Sequence, residues 1–367
     1  MPLPKKLQRI AANVIKLNMN VKEKESVFIS AGPNSLDFAE ALAFEASKIG
    51  AFPNISYGND KLALKTYRAI KTKYLKRYSK ISEFLAKKVD VEIMVDDSDP
   101  FAERKIPQDK IEVRRKAIKP LREIRDRRAK EKTVKSVLMG FPTRETAKSM
   151  KIPFDKLNSI FWNAMDVDYH KLHEANKALE RRLKGRKWIR IVGEKTDIKF
   201  SIKGRKLVLD SGIWKEEIMG YMNLPAGEVF VAPVENSVKG EIYFDLPNSH
   251  YGMQIQGMWW KFRHGKLIDY TVDNGLKAFE DVYENASGDK NKLGELGIGT
   301  NPNAKITGGM IVVDEKVKGS IHCAIGHNKH MFGKNDATIH WDFFKTMGRG
   351  SKLYADDKII MEDGKLI

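Results

Sequence analysis

An α/β N-terminal half with a mainly parallel sheet, followed by an α+β, largely antiparallel C-terminal half, is the fold this sequence predicts. Three observations predict it. Through residue 150, short apolar runs alternate with helical stretches, the signature of a parallel sheet covered by helices. From 188 to 245, hydrophobicity alternates with period two, as antiparallel strands require. The length of 367 residues exceeds one ordinary domain. A boundary is expected near residue 187, after the basic cluster Arg181, Arg182, Lys184, Arg186 and Lys187, which divides the chain into domains 1–187 and 188–367.

The N-terminus, MPLPKKLQRIAANVIKLNM, has helical amphipathic spacing and lacks the apolar centre of a signal peptide. Val27-Phe28-Ile29-Ser30 is a strand, ended by the turn Ala31-Gly32-Pro33-Asn34-Ser35, and LDFAEALAFEASKIG is a helix stopped at Gly50. A strand at 53–58, a basic helical region at 61–88, a strand at 89–97, a helix at 109–132 and a strand at 135–142 follow, with a helical stretch at 154–184. Beyond it come WIRIVGE, TDIKFSI, KLVLDSG, EVFVAPVE and GEIYFDLP, then the hairpin GMWWKFRHGKLIDYTVDNG and a helix at 276–287. In that hairpin one of Trp259 and Trp260 is expected to pack inward and the other to cover the sheet. A Gly- and His-rich region fills 294–342, and Asp363-Gly364 marks a closing hairpin.

Composition narrows the function. Hydrophobic residues at 42% and aromatics at 9% are globular values, and no stretch approaches the roughly 18 apolar residues of a membrane span. One cysteine, Cys323, allows no internal disulfide and fits a reducing, cytoplasmic setting; in the run Ile321-His322-Cys323-Ala324-Ile325 it reads as a small core residue. The net charge of +18 is uneven: residues 1–200 carry 45 basic and 26 acidic side chains, residues 201–367 carry 21 and 22. Nucleic-acid binding is one reading of that excess. Yet the helix at 109–132 has no aromatic to stack on bases, and its acids sit at i,i+3 and i,i+4 from its arginines, which describes a solvated face.

The chemistry lies in the other half. Four of the eight histidines, His322, His327, His330 and His340, fall within 19 residues, and that window closes with His340-Trp341-Asp342. On a strand, His-x-Asp points both side chains to one face, which makes either a metal claw or a hydrogen-bonded structural pair. Glu228, in NLPAGEVFVAP, and Glu295, in LGELGIGTN, are acids inside apolar segments. Such carboxylates must be paired with buried bases or ligate cations. His170 and His173, spaced i,i+3 on a helix, read as surface residues.

Taken in order, NLPAGEVFVAPVE, LGELGIGTNP, DEKVKGSIHCAIG and NDATIHWD resemble the M29 family of metallo-aminopeptidases, the aminopeptidase T and S group, most strongly its shorter leucyl-aminopeptidase-like branch. The resemblance implies a cytoplasmic homodimer that releases N-terminal residues from peptides through two divalent ions (Zn, Co or Mn) and a water bridging them. It implies Glu228, Glu295, His322, His340 and Asp342 as metal ligands, and Glu295 or Glu315 as the carboxylate that moves the proton. Two departures stand out. Six residues separate Glu315 from His322, a longer gap than in better-known members, which leaves Glu315 open as ligand, base or turn residue. The tyrosine those members carry after the histidine is absent between 322 and 342, with His327, Lys329 and His330 as the residues in its place. Two rival readings remain at this stage. An iron(II) ring-cleaving dioxygenase of the 2,5-dihydroxypyridine type would need only His322, His340 and Asp342. A basic nucleic-acid-binding protein would show steep salt dependence.

Overall fold

Alternating strands and helices build a five-stranded parallel sheet in the computed structural model, which describes residues 3–216, 219–250 and 252–367. The chain divides into two units, Met1–Trp162 with Gly212–Leu224, and Asn163–Ser211 with Pro225–Ile367.

In the first unit the strand order is Phe52–Tyr57, Ser26–Ala31, Val91–Asp96, Lys135–Gly140, Tyr221–Leu224, every pair parallel. The central strands bury nearly every residue, as a sheet covered on both faces demands, whereas the edge strand Phe52–Tyr57 is largely exposed. The last strand differs from the sequence expectation. Tyr221–Leu224 lies in the stretch read as antiparallel, yet pairs in parallel with Lys135–Gly140. Four residues carry no periodicity strong enough to reveal a pairing to a strand some 80 positions away.

The basic helix Gln108–Lys130 runs through Pro120 and keeps an exposed basic face, while some of its cations meet partners of the first unit. Arg115 pairs with Glu112 at 2.7 Å and Arg125 with Glu92 at 3.0 Å. Lys110 donates to the carbonyls of Tyr67 and Ile70 (2.6 and 2.9 Å), at the end of helix Asp60–Ala69. Arg128 donates to Ala86 and Val89 (3.1 and 2.7 Å), at the end of helix Lys80–Lys88. Cations placed there satisfy orphan carbonyls and oppose the negative helix end. The region 61–88 is thus three short helices, Thr72–Leu75 lying between those two.

In the second unit the helical stretch at 154–184 breaks: Asp168 accepts from the amides of His170 and Lys171 and starts a new helix, Tyr169–Leu183. His170 is exposed, and His173 is half-buried with Nδ1 3.1 Å from the Ser211 hydroxyl. A nine-stranded antiparallel sheet includes the hairpin Met253–Arg263 and Lys266–Asn274, in which Trp260 is buried and Trp259 half-exposed. The chain ends as Lys358–Glu362 and Lys365–Leu366 joined by Asp363-Gly364, both with positive φ (50° and 73°), as a two-residue hairpin turn requires.

The functional sheet is a second antiparallel one, ordered His340–Thr346, Ser320–Gly326, Leu293–Gly299, Glu228–Val231, Leu207–Asp210. Alternation assigns its two faces. Leu209, Val229, Val231, Leu296, Ile298, Ile321, Cys323, Ile325, Trp341 and Phe343 join one apolar core. Its aromatics interlock, Trp260 edge-on to Phe244 at 4.6 Å and Phe279 stacked on Trp341 at 5.3 Å. The opposite face carries Asp210, Glu228, Glu295, His322 and Asp342, one per strand. Among the described residues no helix is long and apolar enough to cross a membrane.

Candidate metal centre

Each strand of this sheet delivers a polar group to one face while its neighbours in sequence anchor the strand in the core. Register brings them together: Asp210 opposes Glu228, Gly297 opposes His322, and Ala324 opposes Asp342. Gly297 is what gives His322 its room. A Cβ at Gly297 would lie 1.9 Å from the imidazole Cε1 and 2.1 Å from Nε2.

Glu295 stands at the middle. Its Oε1 lies 3.4 Å from His322 Nε2 and its Oε2 lies 3.1 Å from His340 Nε2. His322 Nε2 is also 3.2 Å from Glu228 Oε2, and His340 Nε2 is 3.5 Å from Asp342 Oδ2. The donors therefore form two groups that share one carboxylate, Glu228–Glu295–His322 and Glu295–His340–Asp342, with the ligand atoms of each within 4.8 Å of one another. All five residues are brought together; Glu315 belongs to neither group.

The orientation of the His340 ring is set. Its Nδ1 is 2.7 Å from the His327 carbonyl, which can only accept, so Nδ1 carries a proton and Nε2 is the nitrogen turned toward the carboxylates. Lys316, which the sequence reading passed over, is wholly buried and reaches Asp210 Oδ2, Glu228 Oε1 and Glu315 Oε1 at 2.9, 2.6 and 2.8 Å. So Glu228 does meet a buried base, from its own half of the chain, but through one oxygen only. Asp314 is structural: it accepts from the amides of Thr307, Gly308 and Gly309 and from the Thr307 hydroxyl, which fixes the loop leading to Glu315 and Lys316. Asn176 ties two strands of the sheet, donating to the carbonyls of Asp210 and Glu228.

Electrostatics show a centre short of positive charge. Burial, aided by Glu315 and Glu295, pushes Glu228 up to about 8 against the pull of Lys316. Burial also raises Glu295, but hydrogen bonds from His322 and His340 outweigh it and hold that carboxyl well below the usual range. For His322 burial favours the neutral ring, yet Glu228 and Glu295 overcome it and lift the imidazole to about 9. His340 is likewise raised, by Asp342 and Glu295 against burial. Lys316 is raised well above an ordinary lysine, because its three carboxylates outweigh desolvation. Meanwhile the buried atoms Glu228 Oε2 and Asp342 Oδ1 have no hydrogen-bond partner. Orphaned oxygens on carboxylates that also face imidazoles, in carboxylate excess, fit a site for divalent cations.

Of the three residues in place of the tyrosine, Lys329 turns away to Asp336 at 2.5 Å. His327 stacks on His330 at 5.5 Å, and His330 sits edge-on to His340 at 5.5 Å, so His330 is the one beside the cluster. Cys323 is buried in the core, its thiol pushed up by burial, which removes it as a nucleophile.

Comparison with known proteins finds a matching family and several relatives. The family described as thermophilic metalloprotease (M29) matches residues 3–365. Aminopeptidase T of Thermus aquaticus is 23% identical over 331 residues, covering 82% of this chain and 79% of that protein. Aminopeptidase AmpS of Bacillus subtilis is 22% identical over 389 residues, covering 91% and 94%. Among solved structures, wild-type AmpT from Thermus thermophilus superposes with a TM-score of 0.81 at 18% identity over 99% of both chains. The 2,5-dihydroxypyridine dioxygenase from Pseudomonas putida KT2440 superposes with a TM-score of 0.61 at 16% identity, over 98% of this chain and 96% of that one. At these identities the superpositions speak for the fold alone.

Proposed function

The chain belongs to the M29 family of thermophilic metalloproteases and is a metallo-aminopeptidase, and from that premise we propose how its carboxylate and imidazole cluster removes N-terminal residues from peptides. In this reading Glu228, Glu295 and His322 hold one divalent ion, and Glu295, His340 and Asp342 hold a second. Zinc, cobalt and manganese all suit this donor set. Two ions bound there would supply an acidified water shared between them and a polarised scissile carbonyl. The observation that carries the proposal is Glu295, whose two oxygens face two different imidazoles in two overlapping donor groups.

The chain's own residues do the rest. His327 O holds His340 in register through Nδ1, and Gly297 leaves His322 its seat. Glu315 is the proposed proton carrier: burial, aided by Asp342, raises it against the pull of Lys316, while Glu295 is held well below the usual carboxylate range. His330 is assigned to steady the carbonyl oxygen from beside His340. Substrate enters from the His340 side, since that side chain is 25% exposed against 1% for His322. A free α-amine would be met by an ion or by a single carboxylate, which selects peptides with an open N-terminus. A homodimer and a cytoplasmic location belong to the same reading.

Aminoacyl anilides and short peptides test the proposal, assayed with stripped and metal-loaded protein. Chelation abolishes hydrolysis, added metal restores it, and Glu228→Gln loses it; full activity in Glu228→Gln refutes the assignment. One oxygen-sensitive iron per chain with ring cleavage would instead favour the dioxygenase reading, against which Glu228 and Glu295 both face the cluster.

A further inference from the structure

Lys316 has no exposed surface, and burying an ammonium is costly unless every donor is met. Here all three are met, by three carboxylates from three segments: Asp210 Oδ2 at 2.9 Å, Glu228 Oε1 at 2.6 Å and Glu315 Oε1 at 2.8 Å. Asp210 and Glu228 are register partners on adjacent strands, and Glu315 closes the short helix Ile311–Asp314. With its protons committed, Lys316 is neither a nucleophile nor a proton donor to substrate. What remains is a fixed positive charge against one oxygen of Glu228, whose other oxygen, Oε2, lies 3.2 Å from His322 Nε2 with no hydrogen-bond partner.

We propose that Lys316 is a positioning residue that serves as a chain-borne third cation of the centre. It clamps Glu228 by Oε1, so that Oε2 alone is offered to an ion, and it fills the cation position between Asp210, Glu228 and Glu315. The inference rests on the two-ion reading above. It also gives that reading a charge balance: Asp210, Glu228, Glu295, Glu315 and Asp342 carry five negative charges, matched by Lys316 and two divalent ions. Glu315 is thereby an outer carboxylate held by Lys316 and not a ligand.

The test uses full-length, metal-stripped protein titrated with Mn²⁺, with bound metal counted by equilibrium dialysis and thermal unfolding followed in parallel. Lys316→Ala vacates the position among three carboxylates. It is expected to bind one more Mn²⁺ per chain than the unmodified protein. Its metal-free Tm falls by about 5 °C or more, and Mn²⁺ restores most of that loss. An unchanged count, with a Tm loss that metal does not repair, overturns the cation role, because a packing defect would not respond to Mn²⁺. Should Lys316→Ala not fold, the charge-balanced Lys316→Ala/Asp210→Asn variant decides. It keeps the native count but binds the ion at Glu228 and His322 about tenfold more weakly, with the other changed by less than about threefold. Both affinities unchanged in that variant overturns the clamp. If the unmodified protein binds fewer than two ions, the two-ion reading fails by itself, while the difference of one ion in Lys316→Ala still judges Lys316.

Discussion

Gly297→Ala puts a single methyl group where the structure has no space for it. The backbone at Gly297 does not have the positive φ that would exclude alanine, so in open space the change would stabilise the fold by about 0.4–1 kcal/mol. The new Cβ would instead stand 1.9 Å from His322 Cε1, 2.1 Å from Nε2 and 2.8 Å from Nδ1. Carbon atoms at rest sit about 3.5–4.0 Å apart, so the ring must retreat by roughly 1.5 Å. Metal ligation tolerates about 0.2 Å, and misplacing a catalytic group by about 1 Å costs about 10²-fold. Overpacking a buried strand adds about 1–3 kcal/mol of destabilisation, which a domain of this size survives. The expected protein is therefore folded and binds the ion at Glu228 and His322 weakly. Its kcat/KM is down by about 10²-fold, equivalent to about 2.7 kcal/mol of lost transition-state stabilisation. Calorimetric titration of stripped protein, alongside peptide hydrolysis, measures both. If Gly297→Ala keeps metal affinity and kcat/KM within about threefold, His322 does not work from the position the structure gives it.

Four further outcomes follow from the same structure. Glu228 is pushed up to about 8 and His322 to about 9 in the metal-free protein, so an ion held by both displaces at least one proton below about 9; apparent affinity should rise at least about tenfold per pH unit from 6.5 toward 9, with protons released in the calorimeter, and a flat profile refutes it. The raised His322 value means the metal-free fold binds more protons than the unfolded chain between about 6.5 and 9, so its stability declines as pH rises through that window, visible as a falling Tm. Asp314→Asn turns one acceptor oxygen into a donor facing either the Thr307 amide or those of Gly308 and Gly309, at a cost of about 2–4 kcal/mol in urea unfolding, with metal binding weakened as the Glu315–Lys316 segment loosens. Arg128→Ala uncaps helix Lys80–Lys88 and costs about 1–2 kcal/mol, while kcat/KM stays within about twofold; a large loss of activity instead would show that the basic half does more than brace itself.

How much of this was legible in the sequence varies by residue. Glu228 and Glu295 could be picked out as acids in apolar runs, and His322, His340 and Asp342 by clustered histidines and the His-x-Asp spacing, while the resemblance to the M29 family joined the five as one ligand set. Period-two alternation then turns all of them to one face of a strand. The hairpin turn at Asp363-Gly364 was legible for an equally local reason, since both positions need positive φ. Lys316 was not: it is one of 66 basic residues, and its burial depends on Asp210 and Glu228, 106 and 88 positions away. Tyr221–Leu224 failed the same way, as a short strand defined only by its distant partner. The charge excess was legible but its use was not: only the fold shows Lys110 and Arg128 capping neighbouring helices. The break at Asp168 lay in plain sight as an N-cap within Asp166-Val167-Asp168, masked by helical periodicity on both sides.

The claim at the centre is that one carboxylate, Glu295, serves two ions. Metal content determined across a titration of stripped protein, read beside aminopeptidase activity at each point, tests it most directly. The structure predicts activity that reaches its plateau at two divalent ions per chain, and that Glu295→Gln weakens both sites together. Full activity with a single ion, or with none, would contradict it.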